Sequence, residues 1–256
     1  MNEVTVRAPA KLTLSLRVTG VRPDGYHLLD AEMVSLELAD VLTFGAGDEL
    51  RISGPAGGGV PTDDGNLVRK ALRAVGRTAA VHVDKRIPAG GGLGGGSTDA
   101  AAVLRWAGCD DLAVAVALGA DVPFCVRGGH ARVRGIGEDV EPLPALDATY
   151  TLCTPPFGAS TAAVYRRWDE LGGPRTAGPN DLEAAALAVE PRLAEWRERL
   201  QVLTGRTPVL AGSGATWFVE GDFGAVAAAL APATVVVTRT DSSSPSSASL
   251  PPAPTR

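Results

Sequence analysis

The chain has 256 residues, enough to bury one large core or two modest ones without disulfide support. Its 45% apolar and 21% charged residues exclude the disordered, collagen-like and coiled-coil classes. A net charge of −5 argues against binding to nucleic acid, which requires a surplus of basic side chains, but it permits a small anionic ligand.

Cysteine usage and the N-terminal sequence both bear on location. Cys109, Cys125 and Cys153 form no CxxC pair, so we expect no zinc site and no disulfide framework. The N-terminal stretch MNEVTVRAPAK lacks the features of a signal peptide, and no apolar run reaches the roughly 18 residues of a membrane span. These features predict a cytoplasmic protein without membrane insertion.

The first half of the chain is predicted to mix strands and helices. Alternation over 4–19 predicts one long strand or a strand pair, with a leucine stripe on one face and polar residues, including Lys11 and Thr13, on the other. Helical spacing predicts a helix over 66–77, and a second helix is expected to start near Ser97 and end at Gly108. Further strands are predicted at 32–38, 41–45, 49–53 and 79–84.

The second half shows a different element order, which predicts a separate α+β layer. Residues 240–256, rich in serine and proline, have no apolar periodicity, so they are predicted to be a disordered tail. The predicted elements are a strand from about 150, a helix at 160–171, two helices within 180–203, strands at 207–211 and 215–219, a helix at 222–230 and a strand at 234–239.

A glycine-rich loop is the most informative stretch of the sequence. It lies between a predicted strand and a predicted helix, so its amides and the helix N-terminus can together hold phosphate oxygens. The loop lacks the Gly-Lys-Ser/Thr ending of a Walker A motif. The alternative, a flexible linker, fits this position poorly. The candidate phosphate-binding residues are Pro88, Ala89, Gly90, Gly91, Gly92, Leu93, Gly94, Gly95, Gly96, Ser97 and Thr98.

Two charged residues are candidates for chemistry at this loop. Asp121 follows Gly119 in a turn that can present a carboxylate as general base, although it can equally cap a helix. Lys11 is one of three lysines against 21 arginines, and its ammonium can stabilise developing phosphoryl charge, or it can be an exposed strand lysine. Ser97 and Thr98 can either cap the helix or reach phosphate oxygens bound to magnesium.

Several segments together resemble the GHMP kinases, a family that includes galacto-, homoserine, mevalonate and phosphomevalonate kinases. The glycine loop is similar to their phosphate-binding motif, APAKLTLSL at 8–16 to their N-terminal motif, and GSGAT at 212–216 to their C-terminal glycine motif. The segments at 119–138 and 22–29 resemble the branch that phosphorylates a cytidine diphosphate derivative. The matches run from residue 8 to about 220.

The resemblance implies a two-domain α+β fold and an activity. Residues 1–147 would resemble domain 2 of ribosomal protein S5, residues 148–239 a ferredoxin-like domain, and the site would lie between them. The implied reaction is ATP- and Mg²⁺-dependent phosphorylation of the 2-hydroxyl of 4-diphosphocytidyl-2-C-methyl-D-erythritol in the non-mevalonate isoprenoid route. The implied partner is this small molecule alone, with no nucleic acid or membrane, and the protein would be a monomer or homodimer.

The resemblance also implies roles for individual residues. Lys11 and Asp121 would be catalytic, while Tyr26 would stack on cytosine and His27 would hydrogen-bond its edge. The family usually has asparagine where this chain has Thr13, whose hydroxyl has a shorter reach. The remaining substrate-binding candidates are Gly212, Ser213 and Gly214.

Two other functions stay open at this stage. A kinase of the same family acting on homoserine, mevalonate or a sugar would not need the Gly-Tyr-His element at 25–27. A catalytically weakened nucleotide-binding protein would fit Thr13, but it would not need both Lys11 and Asp121. The protein ligands of magnesium are not identified by the sequence.

Overall fold

A computed structural model describes residues 3–242, and the elements within this range form two β-sheets with helices packed against them. Residues 243–256, most of the predicted tail, lie outside the described residues. Thr240 and Asp241, at the start of the predicted tail, are buried, and the amide of Asp241 donates to the carbonyl of Ser35 at 2.8 Å. The start of the predicted tail, at Thr240 and Asp241, therefore packs against the rest of the protein.

The first sheet is built around two long strands that pair along their full length. They are β1 (Val4–Val21) and β2 (His27–Gly45), and β2 joins two runs that the sequence predicted as separate strands. The other strands are β3 (Leu50–Ser53), β4 (Ala80–Asp84), β5 (His130–Gly135) and β6 (Asp139–Pro142). The strand order in the sheet is β3-β4-β2-β5-β6, with β1 also paired to β2.

The helices of the first half pack against the helix that follows the glycine loop. The second helix begins at Gly95, two residues before its predicted start near Ser97. Thr98 and Asp99 are therefore buried residues within the helix and do not cap it. Pattern reasoning did not predict the two short helices that follow it. The helices are α1 (Leu67–Ala74), α2 (Gly95–Trp106), α3 (Leu112–Leu118) and α4 (Val122–Arg127).

The second sheet is antiparallel, with the strand order β10-β7-β9-β8. The predicted helix at 222–230 is wrong, because the chain there makes two single turns of 3-10 helix at Gly224–Val226 and Ala228–Leu230. The elements are β7 (Thr149–Thr154), α5 (Thr161–Glu170), α6 (Glu183–Val189), α7 (Leu193–Thr204), β8 (Val209–Leu210), β9 (Trp217–Glu220) and β10 (Thr234–Arg239).

The chain passes from one sheet to the other between β6 and β7, at 143–148. The division into two domains at 147/148 stays a prediction. A compact apolar cluster joins the two sheets, since Leu12 and Leu36 of the first sheet pack with Leu152 and Phe218 of the second. Leu93, from the middle of the glycine loop, is buried in this same cluster. Burial of Leu93 anchors the loop at the junction of the sheets.

Among residues 3–242, no helix combines the length and the apolar character that crossing a membrane requires.

Candidate active site

The glycine loop between β4 and α2 adopts a conformation that other residues rarely adopt. Gly90, Gly92 and Gly94 have φ values of 70°, 76° and 71°, in the left-handed region where a side chain would be strained. A Cβ at Gly92 would lie 2.5 Å from the carbonyl oxygen of Ala211 and 2.8 Å from that of Gly214. Glycine is therefore needed at position 92 both for its conformation and for its close approach to the 211–214 turn.

Backbone hydrogen bonds connect the loop to the N-terminal segment at 8–16 and to the glycine segment at 212–216. The amide of Lys11 donates to the carbonyl of Leu93 at 3.0 Å, and the amide of Thr216 donates to Gly91 at 3.2 Å. The first helical hydrogen bond of α2 runs from the amide of Thr98 to Gly94, so the amides before Thr98 have no intrahelical acceptor. Free amides at the N-terminus of a helix suit a phosphate oxygen.

The predicted catalytic pair lies next to this loop. Lys11 Nζ is 3.3 Å from Asp121 Oδ2 and donates to Thr13 Oγ1 at 3.1 Å. The side chain of Lys11 is 6% exposed, but that of Asp121 is 31% exposed and makes no capping bond, although Asp121 stands at the start of α4. The ammonium is thus fixed inside the protein, while the carboxylate can be reached from solvent.

The 212–214 turn closes over the same lysine. A Cβ at Gly212 would lie 3.5 Å from Lys11 Nζ and 3.7 Å from Thr13 Oγ1. Ser213 Oγ is 2.8 Å from Thr161 Oγ1, at the first residue of α5. The side chain of Asn180 stabilises the 212–214 turn by donating to the carbonyls of Leu210 and Gly212. Lys11, Thr13 and the turn therefore form one continuous site beside the glycine loop.

Two of the predicted loop residues do not face this site. Leu93 is a core residue, and Thr98 is fully buried, with its hydroxyl donating to the carbonyl of Pro9 at 2.7 Å. The prediction that the Thr98 side chain reaches phosphate or magnesium is therefore corrected, because helix α2 starts earlier and turns this side chain into the protein. Ser97 is partly exposed in the first turn of α2, and its hydroxyl has no hydrogen-bond partner among residues 3–242.

The Tyr26–His27 element forms a second part of the site, at the tip of the β1–β2 hairpin. The residue Tyr26 is 62% exposed, whereas the side chain of His27 is only 12% exposed. The His27 ring lies against helix α5, with its centroid 4.7 Å from that of Tyr165 and 5.7 Å from that of Trp168. An exposed aromatic ring and an adjacent ordered imidazole can bind a planar base.

Sequence reasoning missed the contribution of α5. Tyr165, Trp168 and Asp169 follow helical spacing on one face, and all three contact His27. Burial, followed by the negative charge of Asp121, raises the pKa of the Tyr165 hydroxyl, which keeps it protonated. The electrostatic influence of Asp121 on Tyr165 indicates that α5 lies near the catalytic pair as well as near the hairpin tip. The spacing in the sequence was visible, but nothing in it indicated the partner.

A buried charge cluster below the loop was also missed. Lys85 donates to Asp40, in an unusually close contact, and to Asp99 Oδ2 at 2.7 Å. Burial by itself would lower the pKa of Lys85, but the two carboxylates outweigh it and raise this pKa. Burial raises the pKa of Asp99 to about 7, with repulsion from Asp40 adding to it and Lys85 offsetting part of it. Asp99 Oδ1 is buried without a hydrogen-bond partner in the described part of the chain.

No group of three or more histidine, cysteine, aspartate or glutamate side chains within residues 3–242 is arranged to hold a metal ion.

The site matches a known protein family. The profile described as GHMP kinases N terminal domain matches residues 66–129, which include the glycine loop and Asp121. The solved structures similar to this chain include a homoserine kinase from Cytophaga hutchinsonii, with a TM-score of 0.63 at 17% identity over 94% of this chain and 95% of that one. Such a similarity establishes the shared fold. The expected α+β fold of the GHMP kinases is confirmed, while the division into two domains stays a prediction.

Relatives at higher identity define the branch of this family. Proteins from Paracoccus denitrificans (40% identity, 82% of this chain and 84% of the relative) and Dinoroseobacter shibae (41%, 91% and 90%) are named 4-diphosphocytidyl-2-C-methyl-D-erythritol kinase. A crystal structure of 4-(cytidine 5'-diphospho)-2C-methyl-D-erythritol kinase has a TM-score of 0.75 at 33% identity, covering 93% of this chain and 99% of that one. The chain belongs to this family of GHMP kinases.

Proposed function

We propose that the protein transfers the γ-phosphoryl group of ATP to the 2-hydroxyl of 4-diphosphocytidyl-2-C-methyl-D-erythritol. The observation that carries the proposal is the Lys11–Asp121 pair, 3.3 Å apart, beside a glycine loop that ends at a helix N-terminus. Phosphoryl transfer depends mainly on positioning and on neutralising charge, and these residues supply both.

The glycine loop is the proposed ATP site. Its left-handed residues Gly90, Gly92 and Gly94 carry no Cβ that would block a phosphate group, and the amides at the start of α2 can donate to phosphate oxygens. The positive end of the α2 dipole adds to this attraction. Pro88, Ala89, Gly91, Gly95 and Gly96 contribute backbone to the same loop and belong to the proposed site as well.

Magnesium fits this site as a companion of ATP. Mg²⁺ is usually held by substrate phosphates and water with only one or two protein ligands, and it supplies charge neutralisation during phosphoryl transfer. Ser97 is the residue that fits as a protein ligand, because its hydroxyl is partly exposed and has no hydrogen-bond partner among the described residues.

The proposed chemistry uses Asp121 as the general base. Its partly exposed carboxylate accepts the proton of the acceptor hydroxyl, whose oxygen then bonds to the γ-phosphorus as the bond to ADP breaks. Lys11 holds Asp121 in place and stabilises the charge that develops on the transferring group. Thr13 Oγ1 accepts from Lys11, so its own hydrogen is available to the acceptor.

Helix α5 spans the distance between the catalytic pair and the hairpin tip, and the proposed substrate must span the same distance. Its first residue, Thr161, contacts Ser213 beside the catalytic pair, and Asp169 near its other end contacts His27. Eight residues of helix span about 12 Å. A cytidine diphosphate group between base and acceptor alcohol spans a gap of this order, whereas homoserine or mevalonate would leave the hairpin tip unused. Tyr26 and His27 are thus proposed to bind cytosine, and Gly212, Ser213 and Gly214 to line the acceptor end.

The test is a product assay with purified protein, magnesium and ATP. Candidate acceptors are 4-diphosphocytidyl-2-C-methyl-D-erythritol, homoserine, mevalonate and galactose, and the gain of one phosphoryl group is followed by mass spectrometry. We expect transfer to the first acceptor, and transfer about 10²- to 10⁴-fold slower when Asp121→Asn replaces the wild type under the same conditions. Transfer to another acceptor at equal or higher kcat/KM would contradict the proposed substrate. Binding of ATP without transfer to any acceptor would instead favour a weakened nucleotide-binding homologue.

A further inference from the structure

The carboxylate of Asp169 contacts the imidazole of His27 and orients it. His27 Nε2 lies 2.8 Å from Asp169 Oδ1, and the ring is packed on one side by Tyr165 and at an edge by Trp168. All three contacts come from the last turns of α5, so the helix fixes both the position and the rotation of the ring. The other ring nitrogen, Nδ1, has no hydrogen-bond partner within residues 3–242.

The carboxylate also decides which nitrogen carries hydrogen in the neutral ring. An ionised carboxylate only accepts hydrogen bonds, so the 2.8 Å contact requires the hydrogen on Nε2. A neutral imidazole has one donor and one acceptor nitrogen. Nδ1 is therefore left as an acceptor.

Helix stability does not explain a carboxylate at this position. Asp169 lies next to the last residue of α5, where the negative end of the helix dipole disfavours an acidic side chain. Its side chain is 47% exposed, so burial does not hold it there either. The interaction with His27 is the feature that accounts for its orientation.

We propose that Asp169 is a positioning residue that sets base specificity, by holding His27 with Nδ1 as an acceptor for the exocyclic amino group of cytosine. The proposal rests on the proposed function in one respect, namely that the hairpin tip binds the base. Cytosine presents an amino group at its 4-position, whereas uracil presents a carbonyl oxygen there. An acceptor nitrogen pairs with the amino group and repels the carbonyl. Asp169 would thus distinguish two bases that it does not touch.

Binding of free nucleotides tests this specificity without requiring catalysis. Cytidine 5′-diphosphate and uridine 5′-diphosphate are titrated by calorimetry at pH 8, above the range in which histidines generally take up a proton, with ADP at saturation to occupy the glycine loop. We expect wild-type protein to prefer the cytidine nucleotide by about 10-fold or more, the usual size of one hydrogen bond left unmade in a site. Equal affinities in the wild type would overturn the proposal.

Variants separate the carboxylate from general charge effects. Asp169→Asn can donate as well as accept, so the ring orientation and tautomer are no longer enforced, and the preference should fall to within about threefold. Glu170→Gln is the matched control, because it removes one negative charge from the neighbouring exposed residue, which pairs with Arg167 instead. We expect Glu170→Gln to keep the preference. An unchanged preference in Asp169→Asn, or an equal loss in Glu170→Gln, would overturn the proposal.

A double variant tests whether Asp169 acts through His27. In a His27→Ala background the preference should already be lost, and adding Asp169→Asn should change neither affinity further. A further loss of similar size would show that Asp169 acts directly on the ligand or on the fold, against the proposal. Thermal unfolding of each variant verifies that the fold is retained.

Kinetics with 4-diphosphocytidyl-2-C-methyl-D-erythritol separate this proposal from the proposed function. Asp169→Asn should raise KM several-fold while kcat stays within about twofold, because base contacts bind ground state and transition state alike. A fall in kcat at unchanged KM would contradict the positioning role. Wild-type protein that prefers the cytidine nucleotide but transfers no phosphoryl group would overturn the proposed function and leave the role of Asp169 supported.

Discussion

Two of the three lysines of the chain form ion pairs beside the same glycine loop, but their surroundings are opposite. Lys85 is enclosed between the buried carboxylates of Asp40 and Asp99. Lys11 pairs with Asp121, whose side chain is 31% exposed. Both lysines pair with aspartate, but Lys85 has two carboxylates that are almost fully buried, whereas Lys11 has one that solvent can reach.

The two lysine clusters have different roles beside the loop, because one fixes its backbone and the other is open to a substrate. Asp40 accepts from the amide of Ile87 and from Lys85, which ties the chain just before the loop to the first sheet. A buried network of this kind offers no exposed group to a substrate, but it fixes the backbone. Lys11, by contrast, has a partner that a substrate hydroxyl can approach. The adjacent residues Gly94 and Gly95 each approach one of the two lysines.

The largest expected effect is on catalysis through Asp121. Asp121→Asn keeps the size of the side chain but removes its ability to accept a proton, so kcat should fall about 10²- to 10⁴-fold. Dissociation constants for ATP and acceptor should change only a few fold, measured by calorimetry alongside single-turnover rates. Asp110→Asn, at an exposed position, controls for the lost charge. Near wild-type kcat would place the base elsewhere, or show that the loose transition state needs none.

The buried cluster should instead control stability. Lys85→Met leaves two carboxylates in the interior without their cation, which typically costs about 3–5 kcal/mol in the free energy of unfolding. Urea unfolding measures this, and the exposed Lys70→Met is the matched control. A Lys85→Met protein of normal stability that has lost only turnover would mean that the two lysines share one role.

A pair of glycine variants isolates the contact with Lys11. Gly94 and Gly108 both have φ of 71°, but a Cβ at Gly94 would lie 2.6 Å from Lys11 Cγ, while nothing lies within 4 Å at Gly108. Alanine should cause similar backbone strain at both positions, about 1 kcal/mol. Only Gly94→Ala should also displace Lys11 and lower kcat, by about 10- to 100-fold. Equal kcat values in the two variants would argue against a role for the position of Lys11.

Thr13 provides a smaller test on the catalytic side. Thr13→Val keeps the shape of the side chain and removes the acceptor for Lys11 Nζ. Transition-state stabilisation should therefore fall by about 1–2 kcal/mol, which is measured as a lower kcat/KM. Thr5→Val, at an exposed position on the same strand, is the control. Unchanged kinetics would make Thr13 a strand residue only. Thr13→Asn, which installs the residue usual in the family, tests whether a longer polar group improves turnover.

The smallest expected effect is the pH dependence of stability, which tests the protonation of the buried cluster. The pKa of Asp99 is raised from 3.8 to about 7, so between these values the native state binds more protons than the unfolded state. Stability should therefore fall as pH rises from about 4 to 7, by at most about 1.4 kcal/mol per pH unit. Asp99→Asn should make the decline shallower in unfolding titrations at pH 5, 6 and 7. An identical slope in the variant would mean that Asp99 is ionised throughout.

Local pattern predicted much of the fold because strands and helices here follow their usual periodicities. The alternation in β1 and the helical spacing around Leu67 and Val68 were readable, since each reflects one face turned to a core. The start of α2 was missed, because glycine at 94–96 has low helix propensity and the capping residues downstream fitted a later start. The loop that precedes this helix packs against Ala211, which is far away in the sequence.

For the site, the sequence by itself determined which residue types were available: a run of glycines, a rare lysine, a carboxylate after a turn, and an aromatic–histidine pair. Resemblance to a family then associated them with one reaction. Only the tertiary structure decided which lysine is closed off and which is open, that Thr98 is turned into the core, and that Asp169 meets His27 across 142 positions. Burial and partner geometry arise when distant segments pack, and no local pattern in the chain records them.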